Sequence, residues 1–334
     1  MWAKHESSQA GDAPRARNMK YLLLFSRYGT LTGLLLMIVA FTIKAPHNFF
    51  TLTNAQNILN QSSFTAIIAS GLTITLVVGE FDLSIGYVGS FIGLIVVGLI
   101  VNDHVPVFIA VTGVIVAGAA IGAFNGVLVA KMKINAVIAT LGVGTILTGL
   151  GFAYSHFPIA EGVPPAFTQL AQGAFLFGIP NPITFTALVL SFLWIVLNKT
   201  DLGQKMQAIG GNIGAARLSG IRVDRIKIIA FATAGVCAAI TGVLLSGLLG
   251  SGTLGAADGY LLDSFAAVFL GSATLRDGEF HILGTFIGVI IISVGFNGLS
   301  IFGAPTFFQP VFKGTILILA VGLSSLARRY AKGR

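Results

Sequence analysis

Long apolar runs broken by short polar intervals occupy most of the chain, and their lengths predict helices that cross a membrane. The runs fall at about 28–45, 60–79, 85–101, 105–130, 134–154, 183–198, 228–249, 264–275, 281–302 and 311–327. The eighth is too short to cross a hydrocarbon core of about 30 Å as a straight helix. It is expected to start deeper in the membrane, or to continue from the Gly-rich loop before it. Three polar segments lie outside the runs: a tail over 1–27, an interval over 199–227 and a tail over 328–334. The pattern therefore predicts an all-α polytopic membrane protein with about ten transmembrane helices over 28–327. The first run is long and lacks a small-residue cleavage site, so it reads as an uncleaved span and not a signal peptide.

Charge orients these spans. With the N-terminus inside, Lys4, Arg15, Arg17, Lys20 and Arg27 lie in the cytoplasm, as do Lys131, Lys133 and Arg276. Lys199, Lys205, Arg217, Arg222, Arg225 and Lys227 of the central interval join them, with Arg328, Arg329, Lys332 and Arg334. Only Lys44 and Lys313 fall at outer ends. The opposite orientation would reverse the usual excess of basic residues inside, so both termini are expected in the cytoplasm.

Composition agrees. Hydrophobic residues make up 55% of the 334, charged residues 10%, and mean hydropathy is +0.89. A soluble core has no use for that much apolar surface. The 42 glycines suit spans that pack backbone to backbone. A net charge of +8 could suggest nucleic acid, but the basic residues sit at span ends and act as topology signals. The single cysteine, Cys237, lies within a span and leaves no intrachain disulfide possible.

An internal echo adds to the architecture. Phe124-Asn125-Gly126 followed by Gly144-Thr145-Ile146-Leu147 is matched by Phe296-Asn297-Gly298 followed by Gly314-Thr315-Ile316-Leu317. The echo lies five spans on, which would make the repeat inverted, a common way to build a transporter around a central site.

Catalytic signals are absent from the sequence. No GxxxxGK[ST] phosphate loop occurs, the five histidines lack metal-ligand spacing, and no nucleophile–base set is suggested. The chain is not expected to be an enzyme or to hold a metal or cofactor. Acidic residues beside spans are more informative. Asp82 interrupts two runs and suits an N-cap of the third span, with Ser84 in its first turn. Asp263 stands at another plausible helix start. Each could cap a helix or face a polar pathway. In the central interval Asn212 suits a helix start, Ile213 to Ser219 supply about two turns, and Gly220 suits a left-handed exit.

The central text, AIGGN followed by AARLSGI, closely resembles the cytoplasmic coupling segment of ABC-type sugar permeases. These form the ribose/xylose-like family of the branched-chain amino acid/sugar permease superfamily. The break at Glu80-Phe81-Asp82-Leu83-Ser84 is similar to that family's GGIDLS element, with Glu80 and Phe81 in place of Gly-Ile. Asp258-Gly259-Tyr260-Leu261-Leu262-Asp263 resembles its GYELD element, with Leu261 where Glu is usual. Asn125-Gly126, Ala139-Thr140-Leu141-Gly142, Gly178-Ile179-Pro180 and Asn297-Gly298-Leu299 with Gln309 extend the likeness over most of 60–327. The resemblance implies a permease subunit of a bacterial ABC importer in the inner membrane, for a monosaccharide or similar polar solute. It also implies a second permease copy, a periplasmic solute-binding protein and a separate cytoplasmic ATPase that alone binds ATP and Mg. Gly210, Gly211, Asn212, Ala215, Ala216, Arg217, Leu218, Ser219 and Gly220 would then form the ATPase-coupling segment. Asp82, Asn125, Asp263, Phe296, Asn297 and Gln309 are the candidates for the translocation pathway. The amides could equally pair between helices. An ion-coupled secondary transporter is the alternative, but most acids lie at span ends and that reading leaves the central interval unexplained.

Overall fold

The structure, a computed structural model, describes residues 31–175, 178–272, 278–305, 307–318 and 322. The expected terminal tails over 1–27 and 328–334, and Arg276, lie outside the described residues. Each of the ten apolar runs contains a helix. In the first half these are α1 (Leu31–Lys44), α2 (Leu52–Val77), α3 (Ile85–Val101), α4 (Val107–Ala130) and α5 (Ala136–Tyr154). A short α6 (Pro165–Gln172) leads to α7 (Asn181–Lys199), and the polar interval folds as α8 (Asp201–Gly211) and α9 (Ile213–Leu218). Then come α10 (Val223–Leu249), α11 (Gly259–Ser272), α12 (Ile282–Ile301) and α13 over 308–318. Among the described residues five helices are long and apolar enough to cross a membrane unaided: α4, α5, α7, α10 and α12.

The packing is crossed between the halves. The second-half helix α10 lies against α4, α3 and α2, while the first-half helix α2 lies against α12, α11 and α7 as well. The two helices sit at the centre. Every residue of α2 from Ser62 to Val77 is buried, although this stretch is rich in Ser and Thr. Its hydroxyls turn back onto their own helix, as Ser70 donates to the Ala66 carbonyl (2.7 Å) and Thr73 to that of Ala69 (2.8 Å). Satisfied this way, they cost little in a dry interior. Thr73 also meets Thr285 of α12 at 2.7 Å.

Small residues make this closeness possible. On α4, Gly118 and Gly122 lie one turn apart, and Gly235 of α10 presses between them. A Cβ at Gly235 would overlap the Gly118 carbonyl oxygen, and one at Gly242 would overlap that of Gly89 on α3. With lipid tails as apolar as any side chain, such contact supplies the dispersion energy that holds the spans together.

The short eighth span has a structural explanation. After α10 the chain turns at Gly250, in a left-handed conformation with φ 62°. It then runs back along α3. Gly252 packs against Leu94 and Val97, Ala257 against Gly89, and Asp258 against Gly86. That descent covers roughly 16 Å of α3 at 1.5 Å per residue. Helix α11 therefore begins inside the bundle, and its 14 residues, about 21 Å, need not span the whole core. The break between α2 and α3 is its counterpart from the other end, and the two meet where Phe81 stacks on Phe265 with centroids 6.1 Å apart.

The glycine contacts carry a direct test. Gly235→Ala should gain up to about 1 kcal/mol of helix propensity but lose about 1–3 kcal/mol to overpacking. Its unfolding temperature in detergent should therefore fall. Gly113→Ala on α4, where nothing lies within 4 Å, should be neutral or stabilising in the same thermal scan. Equal behaviour of the two variants would contradict the backbone-contact account.

Candidate functional site

Two sites lie at opposite ends of α2. The first is built on α8 and α9. Thr200 caps α8 by accepting from the Gly203 N–H at 3.3 Å. Asn212 ends α8 and starts α9, its Oδ1 accepting from the N–H groups of Gly214 and Ala215, both at 3.0 Å. The chain leaves through Ser219, the C-cap, and Gly220 at φ 79°. Only the left-handed region allows that exit, which glycine enters without a Cβ clash. Helix α9 is six residues long, so Ser219 lies just outside it. Ala216 faces inward and is buried, whereas Ile213, Arg217 and Leu218 are exposed. Leu218 is 93% exposed.

This segment is braced against the bundle. A Cβ at Gly210 would overlap the carbonyl oxygen of Val77, so α8 touches the end of α2 directly, whereas Gly211 meets nothing within 4 Å. Beside that contact Lys227 of α10 pairs with Glu80, both largely buried at 12% and 18% side-chain exposure. Glu80 thus ties the α2–α3 break to the helix that follows α9. Lys133 pairs with Asp224 of α10 at 3.1 Å, in the open.

Deeper along the break, Asp82 is buried and accepts from the Ser84 N–H (2.9 Å) and hydroxyl (2.6 Å). The N-cap expected at Asp82 falls instead on Ser84, and Asp82 acts from two residues earlier. Asn125 donates to the Ser84 hydroxyl at 2.8 Å, and the Leu83 N–H donates to Thr140 at 3.0 Å. The network closes the break against α4 and α5. Asn125 is fully buried here. Asn297 makes a reciprocal amide pair with Asn54 of α2, at 2.8 and 3.0 Å. Both asparagines thus pair between elements.

The second site is a cavity of about 390 Å³ at the other end, between α2, α11, α12 and α13. It gathers the three remaining pathway candidates, Asp263, Phe296 and Gln309. Asp263 is the fifth residue of α11 and does not cap it. It lies 8% exposed at the cavity floor, 2.7 Å from the Lys313 ammonium. Lys313, expected as an outer-end topology charge, turns inward over the Phe296 ring, 5.7 Å from its centroid. Phe64 and Thr65 complete the floor, Tyr260 and Ser293 the walls, and Gln61 and Gln309 are exposed at the mouth. Sequence reasoning missed Lys313 and the α2 residues. The signal for Lys313 was present, since an ionisable residue within a span marks a functional position by default.

The family model described as "Branched-chain amino acid transport system / permease component" matches residues 54–321. Ribose import permease protein RbsC of Escherichia coli (strain K12) is 36% identical over 301 residues, covering 87% of this chain and 91% of the relative. RbsC of Bacillus subtilis (strain 168) is 37% identical over 300 residues, with 89% and 92% covered. The galactose/methyl galactoside import permease protein MglC of E. coli (strain K12) is 34% identical over 335 residues, with 95% and 99% covered. No solved structure gives a significant match. With the model matching most of its length and such relatives along nearly all of it, this chain belongs to the family of branched-chain amino acid transport system permease components and is an integral membrane protein.

Proposed function

We propose that this chain is the membrane-spanning subunit of a bacterial ABC importer, carrying a sugar or similar polar solute across the inner membrane. Relatives named as importing ribose, galactose and methyl galactoside, and D-allose support the cargo class. The observation that carries the reading is α9, a capped helix seated on the bundle through Ala216 with Arg217 and Leu218 facing outward. Two caps hold these few residues as an ordered helix, and its exposed Arg217 and Leu218 offer a charge and an apolar side chain to a groove in a separate ATPase. ATP and Mg would bind that partner and not this chain. A periplasmic binding protein would deliver solute, and a second permease copy would complete the pathway. The outward face of α5, where Gly142 and Gly149 meet nothing within 4 Å, suits such a copy.

Ten spans follow if α1–α5, α7 and α10–α13 all cross or enter the membrane, with both termini in the cytoplasm. The crossed packing of α2 on α11 and α12, and of α10 on α3 and α4, supports an inverted repeat. ATP binding would favour one permease state only through differential affinity. The push on α9 would reach α2 through Gly210 and Val77, and α10 through its own start.

Three measurements test the reading. Arg217→Glu and Gly220→Val should each weaken ATPase capture by roughly tenfold, about 1.4 kcal/mol, while inserting normally. The assay is pull-down with cargo-stimulated ATP hydrolysis in reconstituted complexes. Parent-like assembly of both variants would reduce α9 to a surface loop, and uptake that needs an ion gradient and no ATPase would select the secondary-transporter reading.

The Glu80–Lys227 pair should couple hydrolysis to uptake. Lys227→Met leaves a largely buried carboxylate unpaired, costing on the order of 1–3 kcal/mol between the surface and buried limits. The ratio of solute imported to ATP hydrolysed should fall. The exchange Glu80→Lys/Lys227→Glu should restore much of it, and an unchanged ratio in the single variant would discard the link.

Orientation is read by reporter fusion. Reporters at Gly214 and the C-terminus should lie inside, and those at Val163 and Ala256 outside. Finding Gly214 outside would overturn the topology and the coupling role together.

A further inference from the structure

The cavity between α2, α11, α12 and α13 has a lining that specifies more than polarity. Its volume of about 390 Å³ corresponds to roughly a dozen waters' share of liquid, room for one monosaccharide. It lies within a single protomer, so it exists without a second copy. The lining holds one anion and one cation, Asp263 and Lys313, 2.7 Å apart. A carboxylate accepts at several lone pairs and an ammonium donates three protons, so this one contact leaves both groups with hydrogen-bonding capacity. The amides of Gln61 and Gln309 and the hydroxyls of Ser293 and Tyr260 surround them. Two aromatic rings, Phe64 and Phe296, supply flat apolar faces.

The geometry points to a solute-binding site inside each protomer that accepts neutral polyhydroxylated rings, with the Asp263–Lys313 pair as a hydroxyl clamp. A neutral ring with adjacent hydroxyls donates to the carboxylate and accepts from the ammonium while the pair stays together. Its C–H face rests on an aromatic ring. A sugar acid or an amino sugar must split the pair and strand one charge in a half-buried site, which is the more costly outcome. A zwitterionic amino acid would compete with the existing pair and leave the surrounding amides and hydroxyls unmatched. Asp263 and Lys313 are thus specificity-determining, and the pair selects by net charge. The inference rests on the permease reading and deepens it.

Cysteine protection tests it on the purified permease in nanodiscs, without the ATPase or binding protein. The native Cys237 is buried and gives a low background. In Ser293→Cys, and separately in Gln309→Cys should the first fail to fold, thiosulfonate labelling should be slowed at least fivefold by millimolar D-ribose, D-galactose or D-allose. D-galacturonate, D-galactosamine and L-leucine should protect little. Adding Lys313→Gln leaves the carboxylate alone, so preference should move about tenfold toward D-galactosamine, and Asp263→Asn should move it toward D-galacturonate. A merely structural pair would lose all protection without such inversion. Protection by no neutral sugar, or by L-leucine alone, overturns the proposal, as does loss without inversion. ATP-driven uptake by the parent complex is measured in parallel. Intact uptake with no protection rejects the cavity while keeping the permease reading, and absent uptake rejects that reading instead.

Discussion

The close approach of α10 to α2, α3 and α4 is the constraint on which the rest depends. Between lipid-embedded helices no water is released on contact, so association rests on dispersion and on buried hydrogen bonds. Dispersion falls away steeply with a gap of even 1 Å, so backbone must meet backbone. Gly235 against Gly118 and Gly242 against Gly89 provide that on two sides of α10. On the third side Gly71 of α2 faces Cys237, where a Cβ would come within 2.7 Å of the cysteine Cβ. A helix locked on three sides cannot bend locally. It can only move as a unit with its neighbours.

That rigidity allows the interior to hold irregular backbone. Segments 78–84 and 250–258 leave peptide groups away from helical partners inside the bundle, where each unpaired group is costly. The side chains around them remove the cost. Thr140 accepts from the Leu83 N–H, Asp82 from that of Ser84, and Ser90 from that of Ala257 at 2.9 Å. Ser90 in turn donates to Asp258 at 2.6 Å. The acidic residues flanking these breaks thus have a structural task. The breaks place the starts of α3 and α11 well inside the bundle, near the cavity floor, instead of at the surface.

How much of this was legible in the sequence depended on how local the physics was. Each apolar run holds a helix among the described residues, five of them long and apolar enough to cross a membrane, because burial of backbone in lipid is decided segment by segment. Residues 212–220 were read closely because caps and a left-handed exit are short-range events. Helix α2 starts at Leu52 while its apolar run starts at about 60, because its first turns carry Asn54, Asn57 and Gln61. One of them, Asn54, is paired across the fold with Asn297, which no local pattern reports. Glu80 had no visible role because Lys227 lies 147 residues away. Asp263 looked like a helix cap because a carboxylate at a run's start normally is one. The re-entrant path that puts it inside the bundle is set by glycine contacts with α3, and no periodicity reports those.

The two sites are joined by stiff elements and not by a chain of side chains. From Thr65 at the cavity to Val77 at the α8 contact is about 18 Å of fully buried α2. From Leu248 to Lys227 is about 32 Å of α10. A displacement of α9 enters one helix through a glycine contact and the other through its own first turn. Neither helix has a proline or a break in those stretches to absorb it. The two are packed on each other at Gly71, so they move together. What must yield is the cavity wall formed by α12 and α13. The far end of α2 meets α12 through the amide pair Asn54–Asn297, and α11 meets α13 through the ion pair Asp263–Lys313 of the cavity itself. Polar contacts of this kind can exchange partners with a hydroxylated solute at small net cost, whereas the glycine seams cannot separate without losing their dispersion outright. Movement would therefore concentrate at the cavity proposed to take the solute.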